Sequence, residues 1–181
     1  MDAKNAFGAG LKDLKIVNSD GDIIDVYGVV TAEGSTQREE TEVRGDDQIL
    51  GTFGSSLREE LTIEANAVSM EALEAITGNT VRSTTSTSEI DLGTELELNP
   101  VFVEVQAFTT IKLKSGEPAT LKKTWHKVQI NNIQFSQAGE QEFKVTLEGI
   151  ALQTDKDIQG VAFSPAVTKV GMIEIIGPDE S

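Results

Sequence analysis

The sequence predicts a mainly β fold: an antiparallel β-sandwich or barrel with one short flanking α-helix and a long projecting loop or arm. Three observations predict it. Runs of alternating apolar and polar residues, separated by Gly, Asn, Asp and Pro turn signals, recur through most of the chain. One segment after Ala67 has helical spacing with a cap signal at each end. A third stretch, residues 31–56, offers too few large apolar side chains to belong to a core.

Taken in order, Leu11–Val17 is short and apolar-rich and ends at Asn18-Ser19-Asp20-Gly21-Asp22, a string of turn-forming residues. Ile23–Val30 is β-branched, so the two segments predict an opening hairpin. Residues 31–56 follow, rich in Gly and charge, and are expected to form an extended arm that gains order only on assembly. In Leu57–Ala65, Leu57, Leu61, Ile63 and Ala65 share one face of a strand, with Arg58, Glu60, Thr62 and Glu64 opposite. Ser69 is a suitable N-cap, Glu71 sits in the positive first turn, and Met70, Leu73 and Ile76 form one apolar stripe. Val68 and Leu73 are spaced as a hydrophobic staple, and Gly78 stands where a left-handed stop belongs. A helix this short needs a sheet beneath it.

Strands dominate the rest. Thr80–Ser88 is Thr- and Ser-rich and predicts extended or loop structure. Ile90–Leu98 alternates and is broken by Asn99-Pro100. Val101–Lys114 predicts a long strand, turned by Ser115-Gly116-Glu117-Pro118. Leu121–Phe135 alternates through Trp125, Gln137–Glu140 predicts a turn, and Phe143–Leu152 alternates again. A last, weak strand is expected near Val170–Ile176, and residues 177–181 are expected to be a flexible tail. The whole, 1–181, is expected to be one domain.

Composition narrows the function. The chain has 181 residues and no cysteine, so disulfides, thiolate metal sites and cysteine nucleophiles are unavailable to it. Thirty acidic residues against fifteen basic ones give a net charge of −15, which argues against gripping a phosphate backbone and repels DNA passing close by. Met1–Lys12 lacks the apolar run of a signal peptide, and no segment approaches the ~20 apolar residues that span a bilayer.

Reactive constellations are sparse. His126 is the only histidine, and its place beside Trp125 on a strand predicts a surface or interface residue in preference to a catalyst. Zinc would need several His or Cys ligands. Asn18, Asp20 and Asp22 copy the first ligands of a calcium loop, but Ile23 stands where such a loop requires Gly, so a plain hairpin turn is favoured. Neither Gly8-Ala9-Gly10 nor Gly51–Gly54 has the context of a phosphate loop. Lys122, Lys123, Trp125, His126 and Lys127 are the one candidate for stacking on nucleic acid, and strand alternation divides them between two faces. No catalytic residue, cofactor or metal is therefore assigned.

The segment LREELTIEANAVSMEALEAITGNTV, Leu57–Val81, runs strand, short helix, glycine stop, strand. It resembles the helix-bearing segment of phage major tail proteins, the tail-tube subunits of long-tailed phages. VRGDDQILGTF, Val43–Phe53, resembles their long loop. The resemblance implies a homo-oligomer: hexameric rings stacked into a hollow tube, through whose lumen DNA passes without specific binding. It further implies tape-measure and tail-terminator proteins as partners, a place in the virion tail after synthesis in the host cytoplasm, no membrane and no enzymatic activity. Arg38, Glu39, Glu40, Arg44, Asp46 and Asp47 are then the candidates for charge pairs between subunits. Two alternatives stand beside this reading. One is the tube of a related secretion or contractile injection system. The other is a β-sandwich binding module, disfavoured because a single Trp and a single Tyr supply few stacking platforms.

Overall fold

The computed structural model describes residues 7–45, 48–92, 101–137 and 144–177, with side chains for all of these except 7–10, 38–45 and 48–56. The order is β1 (Phe7–Val17), β2 (Ile23–Asp25), β3 (Val29–Gly45), β4 (Gln48–Ala65), α1 (Met70–Thr77), β5 (Arg82–Ser83), β6 (Ser88–Glu89), β7 (Val103–Lys112), β8 (Pro118–Ser136), β9 (Lys144–Leu152) and β10 (Gly171–Ile176). Among the described residues this is a mainly antiparallel β protein with a single short helix, as its alternation predicts.

One sheet dominates. Its strands run β2-β1-β7-β8-β9-β4-β3, and β10 joins on β8. The inner sides of β1, β4, β7, β8 and β9 share one apolar core, including Leu14, Ile16, Leu61, Ile63, Val105, Trp125, Val128 and Leu147. Strands so far apart in the sheet can meet in one core only if the sheet rolls on itself, and β1 does come up against β3 across the seam. β9 shows why the roll forms: Val145, Leu147, Gly149 and Ala151 are buried and the residues between them are not. Ile150 and Leu152, which continue the apolar run in sequence, fall on the outer side because Gly149 takes the inward place.

The opening hairpin forms as expected, with Ile16 opposite Ile24. In its turn Asn18 Oδ1 accepts from the Asp20 and Asp22 amides at 3.0 and 2.9 Å. Helix α1 also follows its signals. Ser69 Oγ accepts from the Ala72 amide at 3.1 Å, and Gly78 at φ 74° donates its amide to the Glu74 carbonyl. Ala72, Leu73 and Ile76 are buried in the common core, so the helix closes one end of the roll.

Of the two forms the sequence leaves open for 31–56, extended arm or long loop, the described residues 31–45 and 48–56 take the extended one. β3 and β4 pair from Val29↔Ala65 to Gly45↔Gln48, so the arm is a long antiparallel hairpin. Residues 90–92 are not a strand, and 93–98 lie outside the described residues, as do the 138–140 portion of the expected turn and the 178–181 portion of the tail.

Glu59 carries the tightest constraint inside the roll. It shares the inward parity of Leu61 and Ile63 and is 7% exposed. Its carboxylate pairs with Lys123 of β8, whose ammonium also lies 4.3 Å from the Trp125 ring centroid. Room for the carboxylate comes from Gly34 on β3, where a Cβ would collide with Glu59 Oε1. Gly34→Ala should therefore lower stability by about 1–3 kcal/mol in urea titrations, through displacement of Glu59. An unchanged midpoint would show that the carboxylate can move aside freely.

Candidate assembly interface

β8 sets the geometry of the open edges. One of its edges carries β7 over Pro118–Val128. The other is shared end to end: β9 takes Val128–Ser136 and β10 takes Thr120–Trp125. β4 lies on the far side of β9 but pairs with it only over Arg58–Ala65. From Leu57 back to Gln48, β4 has β3 as its one strand partner among the described residues. This distal part of the hairpin is a two-stranded ribbon reaching roughly 30 Å beyond the β9 ladder.

The two sides of the ribbon differ in chemistry. β3 carries Arg38, Glu39, Glu40, Glu42 and Arg44, the kind of charge that discourages an edge from pairing. The β4 side, Gln48–Leu57, has no charged residue and no proline. In a chain that is 25% charged, so long an unblunted edge is an exception. A second open edge, shorter and carrying the exposed Glu174, is β10, GMIEII, whose outer side has no strand partner among the described residues. Ile173 and Ile176 on it are 63% and 42% exposed.

Of the six charged candidates, Arg38, Glu39, Glu40 and Arg44 lie on β3, opposite Leu57, Ser56, Gly54 and Ile49. Asp46 and Asp47 lie outside the described residues. The structure thus brings four of the six onto one strand of the ribbon. The unblunted β4 edge and the open β10 edge were not singled out from sequence, although the missing charge in Gln48–Leu57 was there to be read.

His126 is not a surface residue. It is 5% exposed, and its Nδ1 lies 2.8 Å from Glu104 Oε2 on the neighbouring strand. A register shift between Val103 and Val105 places Trp125 and Val128 both in the core, while His126 turns outward to Glu104. Residues 153–170 run as a strap over this outer face. Thr154 and Lys169 clamp the strap's ends through two 2.9 Å backbone hydrogen bonds. Phe163 packs on the His126 ring at 4.6 Å between centroids, and Lys169 Nζ lies 3.9 Å from the Phe163 centroid. The basic-aromatic run is divided as its alternation predicts, with Lys123 and Trp125 inward and His126 outward. Among the described residues no group of three or more His, Asp or Glu is placed to hold a metal.

Burial pushes the Glu104 carboxyl up, but hydrogen bonds from His126 and Gln106, with the positive charge of Lys122 nearby, outweigh it and hold the group below its ordinary 4.5. A depressed carboxyl stabilises the fold fully above the unfolded value and loses that contribution as the pH falls through the folded one. Glu104→Gln should therefore cost about 1–3 kcal/mol at neutral pH. The gap from wild type should shrink as the pH drops below 4.5. Urea unfolding of both proteins from neutral pH down to about pH 3.5 checks this; a gap independent of pH would assign the loss to packing.

No protein-family model matches the chain, and no curated protein matches it. Among solved structures it is similar to a chain in the cryo-EM structure of the anti-feeding prophage baseplate, six-fold symmetrised. The TM-score is 0.46 with 10% identity, over 98% of each chain.

Proposed function

We propose that the chain is a non-enzymatic structural subunit that assembles with copies of itself, edge to edge, into rings that stack as a phage-type tail tube. The observation that carries this reading is the uncharged, proline-free β4 edge of the ribbon, with the β10 edge as its counterpart. A bare edge offers a row of backbone donors and acceptors that a neighbouring strand satisfies. Pairing one kind of edge with a different kind is heterologous, so it closes into rings or extends without end, as a tube requires. The resemblance of Leu57–Val81 to tail-tube subunits supports the same reading and suggests six subunits per ring. The net charge of −15 suits a lumen that DNA crosses without adhering.

Negative-stain microscopy and sizing across a concentration series test the proposal. Wild type should form rings or tubes of uniform width. Thr52→Lys combined with Ile173→Lys should remain monomeric with its fold intact by circular dichroism. A wild type that stays monomeric at high concentration overturns the proposal. Hydrogen exchange gives a second readout: the alternate amides of Gln48–Leu57 that point away from β3 should exchange quickly in dilute monomer and become protected on assembly. Equal protection in both states would show that this edge takes no part.

A further inference from the structure

The edges account for contacts around a ring. A second pair of surfaces lies along the strand axis. At the α1 end of the roll, a cleft of about 490 Å³ opens between the Asn18–Asp22 turn and the helix. Ile24, Val101 and Phe102 contribute apolar lining. Its rim carries Asp20, Asp22, Glu71 and Glu74, and none of these has a cationic partner among the described residues. Phe102 already receives one lysine, Lys127 Nζ at 4.6 Å from its centroid, so its ring face suits an alkylammonium chain.

Strand β7 leads from this cleft to the opposite end of the roll. Val101 and Phe102 lie just before it, and it ends about 30 Å away at Lys112. There the β7–β8 turn projects Lys112 and Lys114, both exposed, around the half-buried Leu113. Neither lysine pairs with a carboxylate among the described residues. The one acid of the turn, Glu117, receives a hydrogen bond from Ser115 Oγ at 3.3 Å. The turn is held firm: the Leu113 amide donates to the Glu117 carbonyl at 3.0 Å and the Gly116 amide to the Leu113 carbonyl at 2.9 Å.

From this complementarity we infer that the cleft is a docking site for the Lys112–Lys114 turn of a second copy, and that this contact stacks one ring on the next. Two ammonium groups meet four carboxylates, and their alkyl stems lie on the apolar floor. Because the two surfaces sit at opposite ends of one strand, the contact is head to tail and repeats along a single axis. The inference rests on the self-assembly reading and identifies its axial contact.

The absence of cysteine makes the test clean. Asp22→Cys with Lys114→Cys should give, in assembled protein under mild oxidation, a disulfide between copies and ladders of covalent multimers on non-reducing gels. Independently, Lys112→Glu with Lys114→Glu should shorten tubes to single rings and raise the concentration needed for stacking roughly tenfold. Asp22→Lys with Glu71→Lys should restore stacking to that variant. Rings that stack as well after the lysine reversal, with no cross-link in the cysteine pair, overturn the inference and leave edge-to-edge assembly standing. Failure of wild type to form even rings overturns both.

Discussion

The division of one edge of β8 between two strands is the constraint from which the rest of the architecture follows. β9 ends at Leu152, the chain leaves across the outer face as the strap, and it returns as β10 on the same edge of β8. β4, which follows β9 as far as Arg58, then runs on with β3 as its one strand partner among the described residues. The ribbon, its open edge and the strap are therefore a single topological event. The strap occupies a face that would otherwise be wet, which is why Thr124, Trp125 and His126 are all buried in a strand where alternation alone would expose one side.

Two acid–base pairs, each with a buried carboxylate, hold this arrangement in register. Glu59–Lys123 ties β4 to β8 inside the roll, at the point where the ribbon departs. Glu104–His126 ties β7 to β8 outside it, beneath Phe163. Such pairs add little stability over apolar residues of the same shape, but removing one partner leaves a buried charge unpaired. Their effect is to make alternative registers costly. A one-residue slip of β8 would turn Lys123 away from Glu59 and Trp125 away from the core.

How much of this the sequence disclosed depended on how local each cause was. The helix was legible to its caps, because Ser69 and Gly78 act within one turn of themselves. β9 was legible through strict alternation over the core, and β7 and β8 through alternation that holds along part of their length. The arm was legible only as a stretch without core residues, because a two-stranded ribbon leaves hydropathy little to detect, while its ladder of backbone hydrogen bonds has no side-chain signature. His126 was misplaced for the opposite reason: its burial depends on Phe163 and Val170, far along the chain. Glu59 shares the parity of Leu61 and Ile63, and that signal was present but unused. Of the candidate interface, the charged β3 residues were legible, whereas the neighbouring uncharged edge was informative for what it lacks.

An unprotected edge in a chain of net charge −15 has a kinetic consequence. If the edges pair as proposed, identical acidic subunits repel one another at separations comparable to the Debye length and attract only when edges meet in register. The first encounter is then the slow one, because two subunits must cross the repulsion for a single ladder. Later arrivals gain more contacts for the same repulsion. Growth of that kind would be governed by its nuclei: on the proposed reading, whatever presents the first ready-made ring would decide where polymer appears, and free subunits would persist at concentrations that an existing end consumes.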